Sequence, residues 1–263
     1  MAVDPGGSTS GGGEIVLRGG NTNTVVRVGD TVRRTSGPWT PTVHSLLRQL
    51  EGAGFEAAPR VLGMDSRDRE VLSFIDGDTV AYPMPSFVWS DATLVQVGQL
   101  LRRYHDLTAT MTFANATWRP YAVVAGPREV ICHCDWGPYN AVFRDGRLVA
   151  MVDWDFARPG SRLADIAYAA YTWVPMKRAD EYRSQGTPDI DQGRRLRLLC
   201  DAYGLDDRAA VVPALATRLL GLTEWVEALA RAGAPDLDGL LAAFRSASEH
   251  IRLYAPELEA ALV

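Results

Sequence analysis

Two short apolar runs, 141–144 and 148–152, are separated by Asp145, Gly146 and Arg147. An Asp-Gly pair between such runs folds the chain back on itself, because both residues tolerate the positive φ that a tight hairpin turn demands. A hairpin sets its outer ends side by side. Asn140, before the first run, and Asp153, after the second, therefore lie at one end of a small sheet. A third apolar run, 130–132, stops just short of Asp135, five positions before Asn140. Strand ends joined this closely are expected to bring Asp135, Asn140 and Asp153 into one pocket.

The rest of the chain divides into a strand-rich and a helix-rich part. Strands are expected at 14–18, 24–28 and 31–34, the last two around a Gly29-Asp30 turn, and again at 59–63 and 70–75. One helix interrupts them at 41–52, with Val43, Leu46, Leu47 and Leu50 at helical spacing and Gly52 as a stop. After Asp91 the pattern turns helical: 92–107, 162–174, 191–203, 206–231 with a break at Pro213, and 235–254. The reading is α+β and bilobal. A Gly/Ser-rich tail occupies 1–13, a β-rich lobe 14–75, a hinge about 73–80, and a helical lobe 76–263 carries the 141–152 hairpin within it.

Composition narrows the partners. The formal charge is −5, which argues against nucleic acid or an anionic membrane. No apolar run approaches the ~18 residues that a spanning helix needs, and the tail lacks the basic and apolar regions of a signal peptide. Cys132, Cys134 and Cys200 form no disulfide framework and are expected as reduced thiols in a cytoplasm. Cys132, His133 and Cys134 alternate along a strand and have no second Cys/His pair, so packing outweighs zinc binding.

A carboxylate beside two hard oxygen ligands suits phosphoryl transfer, in which the protein mainly positions groups and neutralises charge. His133, Asp135 and Asn140 stand as H-x-D-x-x-x-x-N, and Asp153 and Asp155 as D-x-D. This pair of motifs resembles the catalytic and metal-binding loops of kinases, in the branch of the aminoglycoside phosphotransferases and choline kinases. The resemblance implies a protein-kinase-like fold, monomeric or homodimeric. It also implies transfer of the γ-phosphoryl of ATP or GTP, with Mg²⁺, to a hydroxyl of an antibiotic or related natural product. A metabolic kinase for an amino alcohol or sugar, or a kinase-like module that binds without turnover, are the alternatives. By the same resemblance Asp135 is the base and Asn140 and Asp153 are metal ligands. His133 and Asp155 support the site, and Asp165 caps or anchors its helix. Gly19, Gly20 and Asn21 would meet phosphate, and Ser73, Phe74 and Ile75 the purine.

Lys177 is the only lysine among 27 basic residues, so the strand lysine of that family is missing. Arg33 or Arg34 has to replace it. Strand alternation favours Arg34, on the same face as Val32, which would pack on adenine. The helix glutamate is missing too, and His44 stands in its place. For the acceptor, the candidates are Trp173 and Trp225 with Glu224 and Glu227, the two acids three residues apart on one helix.

Overall fold

The computed structural model describes residues 13–17 and 25–263. In chain order the strands are β1 (Ile15–Leu17), β2 (Val25–Val28), β3 (Thr31–Thr35), β4 (Val61–Met64), β5 (Arg69–Ser73), β6 (Asp78–Thr79), β7 (Val130–Cys132), β8 (Ala141–Arg144), β9 (Arg147–Met151) and β10 (Arg158–Gly160). The helices are α1 (Thr40–Gly52), α2 (Asp91–Thr108), α3 (Arg162–Trp173), α4 (Ala179–Ser184), α5 (Gln192–Tyr203), α6 (Val211–Arg231) and α7 (Asp238–Ala260). The protein is α+β, β-rich toward the N-terminus and helical toward the C-terminus.

By its internal contacts the chain falls into two units. The first takes the described residues up to Ala81, with Met111–Arg119 and Pro138–Ala157. Its main sheet is antiparallel, in the order β1-β2-β3-β5-β4. The β3–β5 register sets Arg34 opposite Glu70 and Val32 opposite Leu72. α1 begins with Pro41 in its first turn, where a missing N–H costs nothing, and buries Val43, Leu46, Leu47 and Leu50. A second sheet orders β6-β8-β9. Its hairpin turns at Asp145 (φ 50°) and Gly146 (φ 71°), both left-handed as a tight turn requires. The 141–152 hairpin thus groups with the N-terminal strands rather than with the helices. β6 pairs with β8, and the Met151 N–H donates to the Ala57 carbonyl at 3.0 Å. These bonds come from the first 81 residues and are long-range, so apolar patterning gave no sign of them.

The second unit comprises Tyr82–Thr110, Pro120–Gly137 and Arg158–Val263. β7 and β10 pair antiparallel beneath a helical array in which α2 packs on α5, and α6 on both α3 and α7. Side-chain caps start three helices: Ser90 on α2, Ser161 on α3 and Asp191 on α5. Pro213 does not break α6. The helix starts at Val211, so the proline falls in the first turn, where it is tolerated. α7 continues past 254 and through Pro256, held by the buried Leu258 and by Leu262 just beyond its end. The segment Arg208–Arg231 is long and apolar enough to cross a membrane by length and composition alone. Within this unit it buries Val211, Leu215, Leu219, Leu222 and Val226, together with Arg218, as a core helix does.

α2 and α5 approach closely at Gly98. A Cβ there would lie 2.8 Å from the Ala202 Cβ and 3.0 Å from the Tyr203 N. Gly98→Leu is therefore expected to destabilise the protein by about 1–3 kcal/mol, measured as a lower urea midpoint at unchanged slope.

Candidate active site

In the first unit the site is organised by one guanidinium. Arg34 is buried, and its Nε donates to Glu70, its Nη1 to Asp153 at 3.0 Å, and its Nη2 to Asp155. Burial opposes its charge, but the carboxylates of Asp153, Asp155 and Glu70 outweigh this and raise its pKa above the ordinary arginine value. His44 on α1 meets the other Glu70 oxygen at 3.0 Å. The acid missing from the helix is thus supplied by the neighbouring strand, directly across the ladder from Arg34. Asp155 also accepts from Arg119 at 3.1 Å, whose guanidinium lies over the Trp39 and Phe156 rings. Burial pushes the Asp155 carboxyl up, against the pull of Arg34, with Asp153 and Glu70 adding to the rise.

Arg34 opens onto a cavity within the first unit. Val25, Val32, Leu72, Val142, Val152 and Trp154 give it apolar walls, Arg34, Glu70 and Asp153 are its charged groups, and Ser73, Phe74 and Ile75 also line it. Arg33 is not among its lining and donates instead to Thr31 Oγ1 on its own strand. Strand alternation separates the two arginines. Of the 73–75 backbone donors, the Ser73 N–H is taken by the Arg60 carbonyl and the Phe74 N–H by Asp30. Gly19, Gly20 and Asn21 lie outside the described residues.

Asn140 and Asp153 are brought together as the hairpin predicts: Ala141 pairs with Met151, and the Val152 N–H donates to the Asn140 carbonyl at 2.8 Å. Asp153 adopts φ 62°, a left-handed backbone, and is followed by the buried Trp154. The Trp154 indole donates to Met151 at 3.1 Å and its ring meets Phe55 edge-on. Among the described residues no three His, Cys, Asp or Glu side chains form a ready-made metal cluster. Magnesium does not ask for one, since it is commonly held by one or two protein oxygens with phosphates and water completing the shell. The donor set fits: hard oxygens, with three carboxylates at Glu70, Asp153 and Asp155 facing the two guanidinium charges of Arg34 and Arg119.

Asp135 belongs to the second unit, where Asp165 holds its loop. The Asp165 carboxylate accepts the N–H groups of His133 and Cys134, each at 2.8 Å, and faces His105 Nε2 at 3.1 Å. Burial would raise its pKa, but the His105 hydrogen bond, the charges of His105 and His133, and the His133 N–H hold it below the usual carboxylate value. Ser161 caps α3, so Asp165 is the anchor of the loop and not the cap of its helix. Cys134 sits at φ 69°. Its carbonyl accepts from Tyr121 OH and Arg218 Nη2, both at 3.1 Å. The Asp135 N–H donates to His133 Nδ1 at 3.3 Å, and Asp135 Oδ1 accepts from Tyr168 OH at 2.6 Å.

The acceptor candidates fare differently. Trp173 is fully buried and donates to the Trp136 carbonyl at 2.9 Å, which makes it a core peg under the Asp135 loop and not a substrate contact. Glu227 is paired with Arg245 on α7 at 2.6 Å, Trp225 packs edge-on against Tyr121, and Glu224 is exposed on α6. Four residues escaped the sequence reading: Glu70, Arg119, Tyr168 and Arg218. Two had a signal. Glu70 shares a strand face with the apolar Leu72, and Tyr168 follows Asp165 by one helical turn.

An arginine-held D-x-D loop thus lies in the β-rich part and an H-x-D loop in the helical part. The family model described as "Phosphotransferase enzyme family" (APH) matches residues 109–211. The chain is also 42% identical over 200 residues to the trifolitoxin immunity protein of Rhizobium leguminosarum bv. trifolii, spanning 73% of this chain and 74% of that one. It belongs to this phosphotransferase family and is a phosphotransferase with an alcohol group as acceptor. A choline/ethanolamine kinase family protein from Mesorhizobium loti shares the fold, with a TM-score of 0.60 and 20% identity over 96% of this chain and 92% of that one. So does a macrolide 2'-phosphotransferase from Brachybacterium faecium, with a TM-score of 0.55 and 14% identity over 94% of each chain.

Removing Arg34 leaves three acids without their shared cation. Arg34→Met is expected to cost about 3–5 kcal/mol in urea unfolding, the scale for breaking a buried ion pair. Asp165 gives a pH test. A carboxyl whose pKa falls on folding stabilises the native state above its unfolded pKa, about 4, and loses that contribution as pH drops through the folded value. The gap in melting temperature between wild type and Asp165→Asn should therefore be widest near neutrality and narrow below about pH 4.

Proposed function

We propose that this phosphotransferase moves the γ-phosphoryl group of ATP or GTP onto a hydroxyl of an antibiotic or related natural product. The observation that carries the antibiotic reading is the 42% identity to an immunity protein across most of both chains. An amino alcohol acceptor is the second reading, favoured by the fold shared with a choline/ethanolamine kinase family protein. Turnover is favoured over mere binding by the intact set of Asp135, Asn140 and Asp153, and by an Arg34–Glu70 pair that can do the work of the missing lysine and helix glutamate from two neighbouring strands.

In this reading the apolar cavity takes the purine, with Val32 on one face, and Arg34 directs its charge toward the phosphates. Asn140 and Asp153 hold Mg²⁺, which when bound neutralises charge on the transferring group. Asp135 accepts the proton of the acceptor hydroxyl as the new O–P bond forms and the bond from the γ-phosphorus to the departing nucleoside diphosphate breaks. His133 and Asp165 keep that carboxylate on its loop, and Asp155 keeps Arg34 in place. The buried free thiols of Cys132, Cys134 and Cys200 suit the cytoplasm, where the nucleotide is found.

The test is an acceptor screen with Mg-ATP and Mg-GTP across antibiotics, amino alcohols and sugars. Phosphorylation of an amino alcohol with no antibiotic turned over would replace the first reading with the second. In the active pairing, Asp135→Ala should abolish transfer while leaving Mg-nucleotide binding near wild type. Asp153→Ala should weaken that binding and remove turnover. Equal loss of binding in both variants contradicts the roles of base and metal ligand.

A further inference from the structure

Arg218 is a buried cation that touches no carboxylate directly among the described residues. It is 3% exposed, makes no ion pair among the described residues, and its Nε and Nη1 have no hydrogen-bond partner. A guanidinium taken out of water without a carboxylate in direct contact is costly, so its place needs a reason. Its contacts converge on Asp135. Nη2 donates to the carbonyl of Cys134, the left-handed residue just before the base. The guanidinium also lies 5.3 Å from the Tyr168 ring centroid and 5.1 Å from that of Tyr121. Tyr168 in turn donates its hydroxyl to Asp135 Oδ1 at 2.6 Å. One cation thus restrains the backbone before Asp135 directly and its carboxylate through a phenol.

We propose that Tyr168 is a positioning residue for the catalytic base, and that Arg218 holds both Tyr168 and the Cys134 peptide in register for it. The inference rests on Asp135 being the base. A phenol suits the task because it brings one proton and no charge. It fixes one carboxylate oxygen and leaves the negative charge that attracts the proton of the acceptor. Its ring is restrained on a second side by Tyr171, edge-on at 6.0 Å between centroids. Tyr168 keeps its proton throughout, while the proton of the attacking hydroxyl passes to Asp135.

The experiment uses water as the phosphoryl acceptor, so no identified substrate is needed, and follows Mg-ATP or Mg-GTP hydrolysis by the 263-residue chain. Tyr168→Phe keeps the ring and its packing and removes only the donor. It should lower kcat about ten- to a hundredfold, the scale for a misplaced catalytic group, with nucleotide KM changed by less than about twofold. Placed on Asp135→Ala, the same substitution should cost nothing further, because the group it positions is gone. Arg218→Met should move kcat in the same direction, and if that variant does not fold, Tyr168→Phe carries the test alone. Wild-type kcat in Tyr168→Phe, or an equal loss on both backgrounds, overturns the inference. Wild-type turnover by Asp135→Ala overturns the assignment of the base itself, a separate and distinguishable result.

Discussion

The first unit depends on a single buried guanidinium. Arg34 reaches three carboxylates from two chain segments: Glu70 across the ladder, and Asp153 and Asp155 from the loop after β9. Taken alone, the buried Glu70 and Asp155 would pay heavily for burial, and the Asp155 carboxyl already does so, its pKa pushed up by its surroundings. The arrangement depends on register. Shifting β3 by one residue against β5 would turn Arg33 toward the cavity and lose every one of these pairs at once. Sheet pairing, charge balance and the position of Asp153 are therefore one constraint seen at three levels.

The two loops that carry the proposed chemistry are built alike. Each has a non-glycine residue in the left-handed region, Cys134 at φ 69° and Asp153 at φ 62°, a conformation costing on the order of 1–3 kcal/mol. A buried tryptophan follows within two residues, Trp136 stacked on Tyr104 and Trp154 set against Phe55. Around Cys134 the strain is offset on both sides, since Asp165 takes its N–H and Tyr121 and Arg218 reach its carbonyl. Such over-determination keeps a strained residue in place, and it lets a functional side chain project from a loop as reproducibly as from a strand.

Local chemistry made much of this legible in the sequence. The Asp145-Gly146 turn fixes the hairpin, the hairpin brings Asn140 beside Asp153, and strand alternation separates Arg34 from Arg33. What stayed hidden depends on pairings distant in sequence. Nothing in the 141–152 text says that β8 pairs with Asp78 and Thr79, so the hairpin could not be assigned to the N-terminal unit. Trp173, in an aromatic helix, offered the same text for a binding residue as for a core peg, and only its burial under the Trp136 carbonyl decides. Asp165 presented a similar ambiguity. An acid in the first turn of a helix usually serves that helix, yet Ser161 had already taken the cap and left the carboxylate to the loop.

The substitution of arginine for lysine has a structural consequence beyond charge. An ammonium is a compact point charge, whereas a guanidinium is a rigid fork with donors in several directions. The fork lets Arg34 bind Glu70 through Nε while Nη1 and Nη2 reach the D-x-D loop. Once the acid comes from a strand, the ion pair no longer depends on where a helix sits. Glu70 is held by the β3–β5 ladder opposite Arg34 itself, and α1 adds only the imidazole of His44 to its far oxygen. In kinases whose lysine is matched by a helix acid, moving that helix makes or breaks the pair. In this protein both partners lie in one sheet, so the Arg34–Glu70 pair is assembled as soon as the sheet is.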